Sequence, residues 1–224
     1  MRLAAYPPGK GDITNMIRSY IHRCQKDGVK IVMNCEVTPE IIKEEKPDSV
    51  IIATGSKTLI LPIEGIDNPA IIHGSDLLDG KRAAGKKVLV VGGGMVGCET
   101  AAFLGEQEHD VTVIEFRDTV GADVIHEHRV YLMKDFEDYG IKEITGAKVC
   151  KFYEDGVEYE TADGVRHESR GYDSVILSMG FRNYNPLEEK IKELVPETHV
   201  IGDAIRARRA LDATKEAYEV ASRI

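Results

Sequence analysis

The stretch VLVVGGGMVGCETAAFLGEQEHDVTVIEF, Val88–Phe116, constrains the fold of this chain more than any other part of its sequence. It opens with a continuous aliphatic run, which is typical of a strand buried on both faces of a parallel sheet. A G-x-G-x-x-G pattern follows, then a helical segment to about Gly105, and then a second aliphatic strand that ends in Glu115. This order of strand, glycine turn, helix and strand predicts a Rossmann-like α/β domain with a parallel sheet.

The glycines of that turn carry the chemistry of a phosphate site. Gly92 permits a tight turn from strand to helix, Gly94 lets a pyrophosphate approach the backbone, and Gly97 lets the helix pack closely on the strand. The free N–H groups and the positive end of the dipole of the following helix point towards the position that the pyrophosphate would occupy. The alternative is a parallel fold in which the glycines serve packing alone. We predict a dinucleotide site, with phosphate-binding positions at Gly92, Gly94, Met95, Val96 and Gly97.

Glu115 favours NAD(H) over NADP(H) as the dinucleotide. It stands about 20 residues after the first glycine, where a carboxylate accepts hydrogen bonds from the adenosine ribose. The same charge would repel a 2′-phosphate. Arg117 follows shortly afterwards and offers a partner for such a phosphate, so NADP(H) stays open as the alternative.

Composition disfavours several other classes of protein. The 224 residues are 42% hydrophobic, which is enough for the core of one large domain or two small ones. The net charge of −9, without a basic patch, disfavours binding to nucleic acid or to an anionic membrane surface. No apolar run reaches the ~20 residues of a membrane span, and no signal peptide is recognisable. We therefore expect a cytoplasmic protein without membrane or nucleic-acid partners.

The cysteines and histidines do not suggest a metal or redox centre. Cys24, Cys35, Cys98 and Cys150 form neither a C-x-x-C nor a C-x4-C pair, which disfavours an iron–sulfur site, a zinc site or a redox-active disulfide and fits a reducing compartment. Cys98 lies in the first turns of the glycine-rich helix, where a thiolate would be favoured, but we expect it to be a small side chain packed on the sheet. His126 and His128 would point to different faces of a helix, so no metal site is predicted.

Hydrophobic periodicity and turn residues indicate the elements around the glycine unit. We predict helices over residues 12–25, 125–139 and 208–223 and a β-meander over 148–166. Short strands are predicted over 30–33, 48–54, 173–178 and 199–201.

An internal repeat indicates a second dinucleotide-type domain. DSVIIATG at Asp48–Gly55 matches DSVILSMG at Asp173–Gly180, and each copy is a buried strand followed by a glycine at its carboxyl end. That end lines the ligand crevice of an open α/β sheet. The first copy lies so near Met1 that its own glycine fingerprint would fall before that residue. We predict a domain over residues 59–181 that is inserted into a partial α/β domain formed by 1–58 and 182–224, which lacks its own fingerprint.

The ordered motifs resemble those of flavoprotein oxidoreductases with two dinucleotide domains. The shared motifs are ATG (Ala53–Gly55), GGGMVG (Gly92–Gly97), VIE (Val113–Glu115) and VIGDA (Val200–Ala204). The segments PPGKGDI (Pro7–Ile13) and RALDATKEA (Arg209–Ala217) resemble the C-terminal half of the NADH:flavin oxidoreductases related to old yellow enzyme. That group includes 2,4-dienoyl-CoA reductase, enoate reductases and trimethylamine dehydrogenase.

The resemblance implies cofactors and positions for them. It makes the partial domain FAD-type and the inserted domain NAD(H)-binding, with FMN and a 4Fe-4S cluster in a barrel outside this chain. Thr54 and Gly55 would line the FAD site, and Gly180 would lie beside the adenosine of NAD. After Gly202, the carboxylate of Asp203 would accept from a ribityl hydroxyl, although a turn cap is the simpler role for it.

These observations predict the NADH-binding electron-input portion of a flavin-dependent oxidoreductase. A hydride would pass from NADH to FAD, and electrons would continue to the FMN barrel to reduce an activated C=C bond or a similar substrate. No catalytic side chain is assigned, because the cofactors carry the chemistry. Glu99 would either face the nicotinamide or serve as a first-turn acid.

Two other functions stay open. A non-catalytic NAD-binding sensory or structural domain would keep the nucleotide site without electron transfer. A reductase of small redox proteins, related to thioredoxin reductase, is disfavoured by the missing cysteine pair.

Overall fold

The computed structural model of the protein describes residues 2–224, and it contains seven α-helices and twelve strands within them. The helices are α1 Asp12–Lys26, α2 Pro39–Glu45, α3 Gly74–Leu78, α4 Met95–Glu106, α5 His126–Asp138, α6 Glu188–Ile191 and α7 Ala210–Ala221. The strands are β1 Ser49–Ile52, β2 Ser56–Thr58, β3 Ile72–His73, β4 Lys87–Val91, β5 Asp110–Ile114, β6 Lys142–Ile144, β7 Lys148–Tyr153, β8 Gly156–Glu160, β9 Arg166–Ser169, β10 Ser174–Leu177, β11 Phe181–Asn183 and β12 Glu197–Val200.

The chain divides into two compact units. The larger unit comprises the chain up to Val29 together with Ile60–Gly180, and the smaller unit comprises Lys30–Leu59 together with Phe181–Ile224. Residues 2–29 thus pack with the larger unit. The predicted division into an NAD(H)-binding domain over 59–181 and a partial FAD-type domain over 1–58 and 182–224 stays a prediction.

A five-stranded parallel sheet in the order β3-β10-β4-β5-β6 forms the centre of the larger unit. Its central strands are continuous aliphatic runs because both faces are covered. Val88, Leu89, Val90 and Val91 are at most 2% exposed. The predicted α/β class with a parallel sheet is confirmed.

Each face of this sheet has its own apolar core. On one face, Val88, Val90, Val111 and Val113 pack against α4 and α5. On the other, alternate residues of the same strands pack against the antiparallel meander β7-β8-β9. The predicted meander is therefore present, and Phe152 and Val157 supply its buried side.

The smaller unit has a short parallel pair and a short antiparallel pair of strands. β1 pairs in parallel with β12, and β2 pairs antiparallel with β11. Ile42, Ile52, Ile191 and Val195 form its core. Residues 202–204 form a 3-10 turn that precedes α7.

The strand predicted over Lys30–Met33 is wrong. The structure forms no strand there, and Val32 and Met33 are 59% and 74% exposed. An aliphatic run becomes a strand only where another strand accepts its hydrogen bonds, and none within residues 2–224 pairs with this one.

None of the helices that the structure describes within residues 2–224 has the length and hydropathy needed to span a membrane.

Candidate nucleotide site

The glycine turn between β4 and α4 is held in a conformation that other residues rarely adopt. Gly92 has φ +105°, and a Cβ there would lie 2.4 Å from the carbonyl oxygen of Ser178. A Cβ at Gly97 would lie 1.8 Å from the carbonyl oxygen of Gly92. These two glycines are therefore required by close backbone packing, as the fingerprint interpretation expects.

Gly94 differs from both of these glycines, because its free side is not closed by backbone. It precedes α4 in an extended conformation, φ −72° and ψ −178°, and no side chain of its own caps the helix. The nearest atoms to a Cβ at Gly94 would be the carboxylate oxygens of Asp123, at 3.4 and 3.5 Å. The first amides of α4, from Met95, Val96 and Gly97, have no acceptor inside the helix. Such an end fits a pyrophosphate.

Glu115 lies at the end of β5 beside the same turn. Its carboxylate accepts the backbone N–H of Gly93 at 2.6 Å and that of Arg117 at 2.9 Å. The structure thus brings the predicted ribose acceptor and the predicted phosphate positions together at the carboxyl edge of one sheet. The guanidinium of Arg117 enters no ion pair that we find over residues 2–224, and its role towards NADP(H) stays open.

Asp123 is a site residue that the sequence analysis missed. It lies in the loop between β5 and α5, and its Oδ1 accepts the backbone N–H of Met95 at 2.9 Å. The same loop is fixed to the glycine turn by the N–H of Gly121, which donates to the carbonyl of Gly93 at 2.7 Å. No motif or spacing marks Asp123, because the contact depends on how this loop folds back.

Glu99 is buried and paired. Its side chain is 8% exposed and forms an ion pair with Lys10, which is 22% exposed and comes from the PPGKGDI segment. Lys10 Nζ donates to Glu99 Oε1. Neither of the two roles considered for Glu99 from the sequence included Lys10 as a partner. That Glu99 faces the nicotinamide stays a prediction.

Cys98 fits the packing interpretation rather than the thiolate one. It is fully buried on α4, and its Sγ donates to the carbonyl of Gly93 at 3.2 Å. Burial raises the pKa of the Cys98 thiol to about 12, and the negative charges of Asp123, Glu143 and Glu115 act in the same direction. The helix N-terminus therefore does not produce a reactive thiolate here.

Two buried polar atoms at the same sheet edge have no hydrogen-bond partner among residues 2–224. They are Ser178 Oγ, just beyond β10, and His73 Nδ1, at the end of β3. Gly180 follows with φ +99°, and a Cβ there would meet open space. The predicted position beside adenosine is thus next to this edge, although its role stays a prediction.

In the smaller unit, the residues predicted to hold FAD also lie together, at the carboxyl ends of two paired strands. Because β1 and β12 are parallel, with Ile52 opposite Val200, Thr54–Gly55 and Gly202–Asp203 leave the same end of the pair. Thr54 Oγ1 donates to the carbonyl of Tyr184.

The carboxylate of Asp203 accepts two hydrogen bonds in this unit. They come from Ser56 Oγ at 3.2 Å and from the backbone N–H of Arg208 at 3.0 Å. The second bond is the turn-capping role. Gly202 has φ +62°, and its N–H donates to Glu216 Oε2 at 2.7 Å. The hydrogen bonds of Asp203 thus show its capping role, and its role towards the flavin stays a prediction.

The histidines His126 and His128 both lie in α5. Over residues 2–224, no three His, Cys, Asp or Glu side chains are grouped so as to hold a metal ion.

A Rossmann-like sheet with a glycine turn at the start of a helix and an acid at the next strand end defines a dinucleotide-binding oxidoreductase fold. Residues 11–199 match the pyridine nucleotide-disulphide oxidoreductase family. The chain belongs to this family. The cofactor class that we predict, NAD(P)H with a flavin, is confirmed for the family.

Relatives are found among reductases and oxidases. The chain is 30% identical to cinnamate reductase of Clostridium sporogenes, over 97% of this chain and 33% of the relative. It is also 30% identical to NADH oxidase of Thermoanaerobacter brockii, over 100% of this chain and 35% of the relative. The chain thus spans about a third of the length of these relatives.

The solved structure of 2-naphthoyl-CoA reductase is similar over nearly the whole chain. It superposes with a TM-score of 0.92 at 31% identity, over 99% of this chain and 34% of that one. Histamine dehydrogenase from Rhizobium, with a TM-score of 0.79 at 16% identity, shares the fold. The resemblance to the group related to old yellow enzyme is confirmed.

Proposed function

We propose that this chain is the NADH-binding, electron-input portion of a larger flavin-dependent oxidoreductase. The observation that carries the proposal is the partly exposed N-terminal end of α4, where the Cβ side of Gly94 is not closed by backbone and Glu115 stands beside the turn. An anion there would meet backbone amides that have no acceptor inside the helix, together with the positive end of the helix dipole. A ribose hydroxyl would find a carboxylate acceptor.

The larger unit would hold the nucleotide through its backbone. The amides of Met95, Val96 and Gly97 would bind the pyrophosphate, while Gly92 and Gly97 keep the turn compact beneath it. Glu115 would accept from the adenosine ribose and disfavour a 2′-phosphate, which supports NADH over NADPH. Gly180, whose free side is open, would leave room beside the adenosine.

The smaller unit would contribute to an FAD site. Thr54, Gly55, Gly202 and Asp203 leave one end of the β1–β12 pair, which supports this assignment. Asp203 would exchange part of its present hydrogen bonding for a ribityl hydroxyl. In this proposal residues 59–181 form the NAD(H)-binding domain, and 1–58 with 182–224 form part of the FAD-type domain.

The remaining chemistry would lie outside this chain. Bound nicotinamide and flavin supply hydride transfer, and the residues of this chain bind and orient them. The relatives are about three times as long, which supports a further portion with FMN, a 4Fe-4S cluster and the substrate site. The names cinnamate reductase and 2-naphthoyl-CoA reductase support an activated C=C bond or a similar acceptor as substrate. The four unpaired cysteines support a reducing, cytoplasmic location.

Calorimetry of NADH binding to the full chain tests the nucleotide site. We expect heat from NADH with the parent chain and none with Gly94→Val, because Gly94 has a conformation that valine adopts and its Cβ side faces the phosphate position. Gly11→Val is the matched control, since a Cβ at Gly11 meets nothing within 4 Å. Heat from NADH that is unchanged by Gly94→Val would overturn the assignment of the site.

Electron input is tested separately. With FAD and an artificial electron acceptor, we expect the full-length protein to oxidise NADH. Binding of NADH without any flavin-dependent oxidation would instead favour the non-catalytic NAD-binding domain.

A further inference from the structure

Asp123 stands where a phosphate would have to bind. Its Oδ1 accepts the N–H of Met95 at 2.9 Å, and both of its carboxylate oxygens lie 3.4 to 3.5 Å from the Cβ position of Gly94. The open side of Gly94 and the first amide of α4 therefore face the same carboxylate. Without nucleotide, the chain supplies its own anion to this helix end.

The carboxylate and a pyrophosphate compete for one donor. A backbone amide has a single N–H, so Met95 gives it to Asp123 or to the ligand. Two anions held a few ångströms apart also repel each other. Glu115 already adds negative charge at the neighbouring amide of Gly93. The nucleotide therefore has to displace Asp123 before it makes its full set of contacts.

The displacement needs little movement of the backbone. Gly121 N–H binds the carbonyl of Gly93, and Arg129 Nη2 donates to Thr119 Oγ1 at 2.8 Å and to the carbonyl of Val120 at 3.1 Å. These bonds fix residues 119–121, which immediately precede Asp123 in the loop. Asp123 itself is exposed, so water can replace its hydrogen bond when its side chain rotates away from Met95.

We propose that Asp123 is a specificity-determining residue. In the nucleotide-free chain it occupies the backbone N–H of Met95 that would otherwise bind a phosphate, and it thereby lowers the affinity for every ligand that places a phosphate at the start of α4. The proposal rests on the proposed nucleotide site. It predicts that the residue acts on the phosphate part of a ligand and not on its adenosine part. This property separates it from a general effect of charge on the protein surface.

The test compares Asp123→Asn and Asp123→Ala with the parent in the full chain. In Asp123→Ala we expect the Kd for NADH and for ADP-ribose to fall about 2- to 30-fold, the range for one side-chain bond to a helix N-terminus. Asp123→Asn should give a smaller fall, because its amide oxygen still accepts the N–H of Met95 but carries no charge. The Kd for adenosine should not change, because adenosine does not reach the amide of Met95. Without ligand, Asp123→Ala should melt at a lower temperature than the parent, since it loses the bond to α4.

Glu127→Gln is the matched control, because it removes one acid from the same region, in the first turn of α5, without touching the glycine turn. We expect it to leave all three Kd values within twofold of the parent. A weaker or unchanged Kd for NADH in both Asp123 variants would overturn the inference, as would an equal gain for adenosine. Absence of NADH binding by the parent would instead refute the proposed nucleotide site.

Discussion

The Cβ position of Gly97 lies 1.8 Å from the carbonyl oxygen of Gly92, so the first turn of α4 rests directly on the end of β4. We expect Gly97→Ala to destabilise the protein by about 3 kcal/mol, because backbone has to move to admit the methyl group. For a chain of this size that loss lowers Tm by about 6–12 °C. Gly11→Ala, which meets nothing within 4 Å, should stay within about 0.5 kcal/mol of the parent. Equal melting temperatures of the two variants would contradict the packing that we describe.

Glu115 is expected to set the preference between the two pyridine nucleotides. In Glu115→Gln, the acceptor for Gly93 N–H remains but the negative charge is lost. The ratio of the Kd for NADPH to that for NADH should then fall about 10-fold, because a nearby charge repels the 2′-phosphate by roughly 1–2 kcal/mol. Titration with both nucleotides measures this ratio. Glu106→Gln, at the far end of α4, should leave it unchanged, and an unchanged ratio in Glu115→Gln would refute the role.

The ion pair between Lys10 and Glu99 should stabilise the larger unit. Lys10→Met leaves a carboxylate that is only 8% exposed without its partner, and we expect a loss of about 1–3 kcal/mol in the free energy of unfolding. The double variant Lys10→Met/Glu99→Gln should recover much of that loss, since no buried charge remains. Lys192→Met removes an exposed pair with Glu189 and should cost at most about 0.5 kcal/mol. Denaturant unfolding measures the free energy of unfolding of all three variants. A double variant that is no more stable than Lys10→Met would contradict the role of this ion pair.

The thiol of Cys98 should be inert in the native protein. Its pKa of about 12 leaves no thiolate near pH 8, whereas Cys35 is exposed. Iodoacetamide at pH 8, followed by mass spectrometry, should label Cys35 and spare Cys98 until the chain is unfolded. Rapid native labelling of Cys98 would show that the first turn of α4 opens.

Stability should also depend on pH through Cys98. The folded chain holds the thiol proton more tightly than the unfolded chain, where the pKa is near its usual value of 9.0. This contribution is fully present below pH 9 and is lost as the pH rises from about 9 towards 12. Cys98→Ala should therefore lose stability less steeply than the parent over that range, and parallel curves would contradict the shift.

Asp203 is expected to affect flavin content and not NADH binding. In the full-length protein, Asp203→Ala removes the proposed acceptor for the ribityl chain together with the hydrogen bonds from Ser56 and Arg208. We expect reduced flavin absorbance in the purified protein and an unchanged Kd for NADH. Glu193→Ala, an exposed acid of the same unit, is the control. Full flavin content in Asp203→Ala would leave the residue with a capping role alone.

The elements that are read from local patterns agree closely with the structure. The glycine unit from β4 through α4 to β5 and the meander both follow from short stretches whose hydrophobic period and turn residues specify one conformation. The predicted parallel sheet is also confirmed, because strands that are aliphatic on both faces need cover on both faces.

The contacts that define the edges of the site were not predictable in the same way. Met95 and Asp123, like Lys10 and Glu99, lie far apart in the chain, and each pair meets only after a loop folds back. No period or motif encodes such a contact. The error at Lys30–Met33 has the same origin, since a strand depends on a neighbour that local sequence does not describe.

The position of β10 between β3 and β4 determines when the larger unit is completed during synthesis. The ribosome delivers β3, β4, β5, β6 and the whole meander before it delivers Ser174–Leu177. Until then β3 has no adjacent strand, and the backbone of β4 is unpaired along one edge of Val88–Val91. Completing a sheet through an interior strand that is made last is a long-range event and slows folding. A nascent chain of this protein therefore passes through a stage in which β4 has an unpaired edge, and that stage is where chaperones or aggregation would act on it.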